Sequence, residues 1–419
     1  MAATVARVPS LVAIARSTHI GSWPGAYRLG AAAAVTALWP RPVRHGDTVA
    51  GMSGRWRPLR ALRGFERALG RGKTSRDYKR KVDRQLRSLR TTLHPEAFAF
   101  DPTEARAFLT ARFPGYTDLR WHRFYGAATG RHAASYLPED LFYFHVLPAL
   151  NPTDRWAAYL DKNLTPALGL APTPGVVARV VRGTLVDAER RPLRLHEALE
   201  RAAAFPAVVI KPARNSGSGR DVRRADVADL AGELSRLVRP DGGDWLIEEA
   251  VTQAEPLAAL NADSVNTYRV LTLRVSGHVH VVSTVVRVGR VGSWVDNVNA
   301  GGLVVGVADD GVLANRAYDG NGIGYTHHPD HGYAFAGRSV VPATLAHDAA
   351  LAVHDAIPGL DVLSFDVAFA AGPRALLLEV NVSWQGITMH QLCHGPLFGP
   401  HQDTVVTPKR VRTVAGLVI

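Results

Sequence analysis

Helices and antiparallel hairpins spread over two or three lobes are what this sequence of 419 residues predicts. Three stretches carry that expectation. Tyr268 to Gly289 is a long β-branched run broken by Ser276-Gly277, a two-residue turn signal between two strands. Val362 to Ala370 is a second apolar run, turning at Ala371-Gly-Pro-Arg374 and returning as Ala375 to Asn381. The third stretch, Phe205 to Pro212, is a short apolar strand that ends in Lys211-Pro212 and runs into Ala213-Arg-Asn-Ser-Gly-Ser-Gly-Arg220, followed by helical spacing over about 226–238.

Composition narrows the function classes. No apolar run approaches the roughly 20 residues of a membrane-spanning helix, and Leu29 to Trp39, the longest candidate, is mostly alanine. Scattered Arg7, Arg16 and Arg28, with no tidy cleavage site after them, do not read as a secretory signal. The single cysteine, Cys393, allows neither a disulfide framework nor a cysteine-built metal site and points to a reducing cytoplasm.

The net charge is +12, and it is unevenly placed. Residues 1–100 hold 19 Lys and Arg against 5 Asp and Glu, and the remainder 30 against 32. Arg55 to Arg90 carries most of the excess, interleaved with Leu59, Leu62, Phe65, Leu69, Leu86 and Leu89 at helical spacing. Such a basic region, 55–129, suits either a solvated helical face on the body of the protein or peripheral contact with an acidic membrane or partner protein, with nucleic acid the lesser alternative. Residues 1–54, rich in Ala, Val and Arg and holding Pro24, Pro40 and Pro42, read as a disordered extension, unless translation begins at Met52.

Taken in order, the body of the chain offers Thr103 to Phe113 as a helix, an aromatic stretch from Tyr136 to Asn151 suited to packing, and a helical segment from Asp154 to Leu170 holding Lys162. Alone, Lys162 would be a surface lysine. The loop after Lys211 is either a flexible turn or a phosphate cradle, since glycines let backbone N–H groups approach phosphate oxygens and the lysine adds a point charge. Its order is not that of a Walker loop, because the lysine precedes the glycines. Trp245 to Val251 reads as a strand, and Asp296-Asn-Val-Asn-Ala-Gly-Gly302 as a polar loop.

Arg269 and Arg287 lie near the open end of the first hairpin, and planar guanidinium groups suit the bridging of phosphate or carboxylate oxygens. An ideal register pairs Arg269 with Thr284 and sends Arg287 to the other face unless a bulge intervenes. In the second hairpin, a turn centred on Gly372-Pro373 sets Asp366 opposite Glu379, with Asn381 two residues on and on the same face. Three hard oxygen donors then converge, which suits Mg²⁺; a hairpin with a wet polar face is the alternative. Histidines in Tyr325-Thr-His-His-Pro329 and Gly386-Ile-Thr-Met-His-Gln391 are structural or border a substrate pocket.

The sequence resembles the ATP-grasp superfamily, and within it the sugar-transfer-associated ATP-grasp family. The stretches that carry the resemblance are Asp161-Lys162, Val208-Val-Ile-Lys-Pro212 with its loop, Ile247-Glu-Glu249, Asp263 to Arg269, Val286 to Gly289, Val295-Asp-Asn297 with Gly301-Gly302, Phe365-Asp366 and Leu378-Glu-Val-Asn381. It spans roughly 130–400. It implies an α+β, ATP-grasp fold in which two lobes hold ATP between antiparallel sheets, with 172–252 as the smaller nucleotide-binding lobe and 401–419 as a tail.

By the same resemblance, Lys162 and Lys211 contact ATP phosphates under a loop of Asn215, Ser216, Gly217, Ser218 and Gly219. Glu248, Glu249 and Val251 form the adenine strand, chiefly through backbone, with a ribose-binding acid near Glu255, where the match is loose. Arg269, Arg287 and Lys211 act in catalysis, Asn297 contributes from the polar loop, and Asp366, Glu379 and Asn381 hold one or two Mg²⁺ ions, or Mn²⁺. The implied activity is an ATP-dependent ligation of a carboxylate to an amine or similar nucleophile through an acyl-phosphate, in polysaccharide or cell-surface metabolite synthesis. A phosphotransferase, or a nucleotide-binding scaffold recruited by the basic arm, are the alternatives.

Overall fold

The structure is a computed structural model that describes residues 75–214, 219–239 and 241–407. Two antiparallel sheets dominate it. The first is built from β1 (Val176–Val181), β2 (Thr184–Val186), β3 (Ala207–Pro212), β4 (Arg223–Asp226) and β5 (Trp245–Glu249), in the order β2-β1-β5-β3-β4. Helices Leu195–Ala202 and Val227–Leu237 close it, burying Ala198, Ala202, Leu230 and Leu234 against Val177, Val208, Ile210 and Ile247. Each buried leucine contributes about 1.5–3 kcal/mol, so these few contacts hold the small sheet to its helices.

The second sheet has seven strands: β6 (Tyr268–Val275), β7 (His278–Val288), β8 (Leu303–Val307), β9 (Leu313–Tyr318), β10 (Gly324–Tyr325), β11 (Val362–Ala370) and β12 (Arg374–Asn381), ordered β10-β9-β8-β7-β6-β11-β12. Both of its faces are covered, so β6 and β11 read as nearly continuous apolar runs. One face packs Tyr268, Val270, Val286 and Phe365 against helix Thr344–Ala356. On the other face, Leu271, Leu273 and Val362 meet Leu141, Phe142, Leu147 and Phe398, while Val285 and Val304 meet Trp121, Phe124 and Tyr125. Arg269 and Arg287 lie on this second face by alternation, so helices N-terminal to the sheets wall the site.

The basic region is helical over 75–90, Thr103–Arg112 and Arg120–Thr129, its part before residue 75 lying outside the described residues. Val82, Leu86 and Leu89 bury one stripe of the first of these helices in the Trp121 cluster, while Lys79, Arg80, Arg84, Arg87 and Arg90 stay exposed. No helix among the described residues is long and apolar enough to cross a membrane.

Three sequence expectations require correction. The segment from Asp154 to Leu170 is not one helix: a 3₁₀ turn Thr153–Arg155 and helix Trp156–Tyr159 stop before a turn, and Leu164–Leu168 starts anew. Asp161 breaks it, its carboxylate accepting the Asn163 N–H at 3.0 Å, a local bond that competes with helix. In the first hairpin, Ser276 and Gly277 do turn with positive φ (51° and 88°), but Val282 bulges out of the ladder, so Arg269 faces Val285 rather than Thr284. The second hairpin's turn is one residue longer than expected, with Ala370 opposite Arg374. A bulge at Leu378 restores the pairing of Asp366 with Glu379 and of Ser364 with Asn381.

Candidate active site

Between the sheets lies a cavity of about 1270 Å³, and of the candidate site residues that are described all but Glu255 border it. From the small sheet, alternation puts Lys211 of β3 and Glu248 of β5 on one face, and their side chains pair at 2.5 Å. Lys211 Nζ also donates to the Leu378 carbonyl at 3.4 Å. Lys162 sits in the turn that interrupts the helical segment, its N–H donating to Ala213 O at 2.8 Å, so the turn is tied to the end of β3. Its Nζ reaches Glu379 Oε1 at 2.8 Å.

Across the cavity, the large sheet presents a buried knot of charge. The bulge at Val282 brings Arg287 to the face of Arg269, and both guanidinium groups bind Asp366. Arg269 grips it bidentately, through Nε to Oδ1 and through Nη2 to Oδ2 at 2.9 Å, while Arg287 Nη2 reaches Oδ2 at 2.9 Å. Arg287 Nη2 also donates to Thr267 Oγ1 at 2.6 Å, and its Nε lies 3.4 Å from Asp296 Oδ2. Asp296 is held in turn by the Thr267 N–H at 3.0 Å.

Burial alone would raise the Asp366 pKa, but Arg269 and Arg287 outweigh it and hold the carboxyl below its ordinary value. For Asp296 burial wins over Arg287 and the pKa is raised. The Arg287 pKa is raised too: burial works against its charge, and Asp296, Asp366 and Glu379 more than compensate.

Glu248, Glu249, Ala250 and Val251 of the strand expected to carry adenine line the cavity. The N–H groups of Glu249 and Ala250 donate to Gly175 and Ala207, so these two are spent on the sheet. Asn297 lines the cavity from the polar loop, its Oδ1 accepting the Asn299 N–H at 2.8 Å. That loop needs its glycines: Gly301 takes φ of 95°, and a Cβ on Gly302 would stand 2.6 Å from Asp296 O. Gly219 borders the cavity, whereas Asn215, Ser216, Gly217 and Ser218 lie outside the described residues. Glu255 is exposed at the start of helix Glu255–Ala258 and is not among the lining residues. Of the two histidine stretches only the second reaches the cavity, through Gly386, Thr388 and Met389. His328 instead serves packing, its ring bonded to Gly289 O, and Cys393 is half-buried, desolvation pushing its thiol pKa up to about 12.

Glu379, Asn381 and Asp366 carry the oxygen donors a hard cation takes, but both Asp366 oxygens are engaged by Arg269 and Arg287, and among the described residues no group of three or more His, Cys, Asp or Glu is placed to hold a metal ion. Sequence reasoning missed Asp296 and Thr267, which fix Arg287. It also missed the wall of Tyr78, Lys81, Gln85, Glu139, Tyr143 and Trp384. The signal for Asp296 was present in the polar loop it opens; the wall is assembled from three distant stretches and had none.

Residues 221–404 match the model of the family described as sugar-transfer associated ATP-grasp. No curated protein matches the sequence. Among solved structures, the chain is similar to the ATP-grasp ligase PsnB complexed with minimal precursor (13% identity, TM-score 0.35, 61% of this chain and 63% of that one). It is also similar to D-cycloserine synthetase DcsG (13%, 0.33, 64% and 72%) and to biotin carboxylase from Campylobacter jejuni (13%, 0.38, 60% and 46%). The chain spans less than two thirds of the length of PsnB and, at 41%, of the L-amino acid ligase from Bacillus licheniformis. This is an α+β chain of ATP-grasp fold, and its residues 221–404 carry the pattern of the sugar-transfer associated ATP-grasp family.

Proposed function

We propose that the protein is an ATP-dependent ligase that activates a substrate carboxylate as an acyl-phosphate and passes it to an amine or similar nucleophile, in the assembly of a polysaccharide or cell-surface metabolite. One observation carries this reading: Lys162, Lys211, Arg269, Arg287, Asp366, Glu379 and Asn381 border a single cavity. Phosphoryl transfer needs positioning and charge stabilisation more than covalent help from the protein. Lys162 and Lys211, released from Glu379 and Glu248, would bind phosphate oxygens as point charges. Arg287, fixed by Thr267 and Asp296, would face the charge that builds as the carboxylate oxygen attacks. Arg269, locked to Asp366, would keep that carboxylate ionised and in place.

Glu379 and Asn381 are the residues that would hold Mg²⁺, beside an Asp366 kept by its two arginines, and the ion would supply positive charge to neutralise phosphate oxygens. We assign the protein to the cytoplasm, with the exposed basic face of helix 75–90 available to an acidic surface.

Calorimetry of ATP binding with and without Mg²⁺ tests the reading, comparing wild type with Lys211→Ala and Glu379→Gln. Mg²⁺-dependent, micromolar binding weakened in both variants is expected. Folded wild-type protein that does not bind ATP would overturn it.

A further inference from the structure

One end of the cavity is built unlike the rest. Tyr78 stacks on Tyr143 with ring centroids 5.7 Å apart, and Tyr143 packs against Trp384 at 5.3 Å. Trp384 is 61% exposed, the most exposed of the large apolar side chains among the described residues, and it lines the cavity. Its backbone is not loose: the Trp384 carbonyl accepts from Arg269 Nη1 at 3.1 Å, which seats the indole beside the Arg269–Asp366 knot. The Tyr143 hydroxyl accepts the Gly386 N–H at 3.2 Å, fixing the ring beneath it. A rigid aromatic ledge is thereby offered to whatever lies next to the reacting centre.

The polar groups at this end set the chemistry of the occupant. Lys81, Glu139 and Asp319 are already matched within the protein. Lys81 Nζ binds both oxygens of Glu139, at 2.7 and 2.9 Å, and Asp319 Oδ1 accepts the N–H groups of Asn321 and Ile323. Gln85, one helical turn beyond Lys81 and 2% exposed, gives its Nε2 to Gly320 O at 2.8 Å. Its Oε1 is buried with no partner among the described residues. Leaving a buried acceptor unmatched is unfavourable, and a ligand hydroxyl would satisfy it.

We propose that this ledge is the acceptor subsite and that it takes an uncharged, hydroxylated six-membered ring, a pyranose unit of a saccharide, with the ring's C–H face on Trp384 and a hydroxyl donating to Gln85 Oε1. The placement of this ring beside the phosphate-transfer centre rests on the reading given under Proposed function; binding of the ring does not. A free amino acid would fit poorly, because its two charges would find Lys81 and Glu139 already paired with each other.

Saturation-transfer difference NMR on the full chain, with the non-hydrolysable analogue AMPPNP and Mg²⁺ present, tests this with methyl β-glucopyranoside and methyl β-galactopyranoside against alanine and glutamate. The pyranosides should receive saturation at their ring protons. Trp384→Ala should weaken them at least tenfold, Trp384→Phe less than threefold, and Gln85→Leu about fivefold, with AMPPNP affinity unchanged in all three. Pyranosides that bind no better than the amino acids, or that bind both Trp384→Ala and Gln85→Leu as they bind wild type, would overturn the subsite while leaving the nucleotide reading intact. Loss of AMPPNP binding with pyranoside binding retained would do the reverse.

Discussion

Two sets of cations meet carboxylates of the large sheet in the same cavity, the arginines of its own strands and a lysine from the turn before β1, but they are held differently. On the large sheet, Asp366 accepts from two guanidinium groups at once, one of them in a bidentate fork, with Asp366 and Arg269 buried and the Arg287 side chain 11% exposed. Across the cavity, Lys162, in the turn tied to the end of β3, reaches Glu379 of β12 through one ammonium at the end of a flexible stem, with the lysine side chain 11% and the glutamate side chain 34% exposed. The first is a scaffold whose members have nowhere else to go. The second is a contact that a phosphate can take over with little penalty, since a lysine exchanges partners readily and a planar fork does not. The fold thus separates fixed charge, which shapes the centre, from exchangeable charge, which under the proposed function would meet the nucleotide.

Removing the centre of the scaffold should break that contrast most severely. Asp366→Ala leaves Arg269 and Arg287 buried and short of their shared anion, and a broken buried pair costs about 3–5 kcal/mol. Denaturant unfolding of the variant should show a loss of that size; a loss below about 1 kcal/mol would mean that the knot is no scaffold.

The large sheet also makes a pH prediction. His354, at the end of helix Thr344–Ala356, bonds Thr272 Oγ1 at 2.6 Å and Leu360 O at 3.0 Å, clamping β6 and the approach to β11. Burial lowers its pKa to about 4, against roughly 6.5 in an unfolded chain. The unfolded state therefore binds more protons between these values, so His354 favours folding fully above about pH 6.5 and its contribution falls away as pH drops towards about 4. The loss over that window is on the order of 2–3 kcal/mol. His354→Gln should flatten the stability profile there, and an unchanged slope would remove His354 as its source.

How much of this was written in the sequence depends on where bulges fall. Asp366 was set opposite Glu379 from a turn one residue too short, and the bulge at Leu378 cancelled that error. Arg287 had no such luck: its face depends on the extra residue Val282, in a run of β-branched residues that gives no local sign of a bulge. Alternation is a strong signal, but a single inserted residue inverts it. The break at Lys162 was readable in principle, since Asp161 and Asn163 favour turns over helix. Tyr78, Tyr143 and Trp384 converge only through packing of the N-terminal helices on the large sheet, a relation no local pattern encodes.

Arg269→Lys separates charge from geometry within the scaffold. The substitution keeps the positive charge beside Asp366 but cannot reach both of its oxygens and the Trp384 carbonyl at once. A destabilisation of about 1–2 kcal/mol is expected, between the full loss at Asp366 and none, because the pairing survives while hydrogen bonds to charged groups worth about 1.5–3 kcal/mol each are partly replaced. Equality with wild type in denaturant unfolding would show that net charge alone maintains the knot.

Lys162→Ala probes the exchangeable side, where the effect on stability should be smallest and the effect on ligand largest by comparison. The pair it removes is partly exposed, so unfolding free energy should change by less than about 1 kcal/mol. Loss of a point charge from the phosphates should nonetheless weaken ATP about tenfold, equivalent to roughly 1.4 kcal/mol of binding. Calorimetry and denaturation on the same preparation measure both quantities. If stability fell by more than binding did, Lys162 and Glu379 would belong with the arginines as scaffold, and the division between fixed and exchangeable charge would fail at the contact on which it most depends.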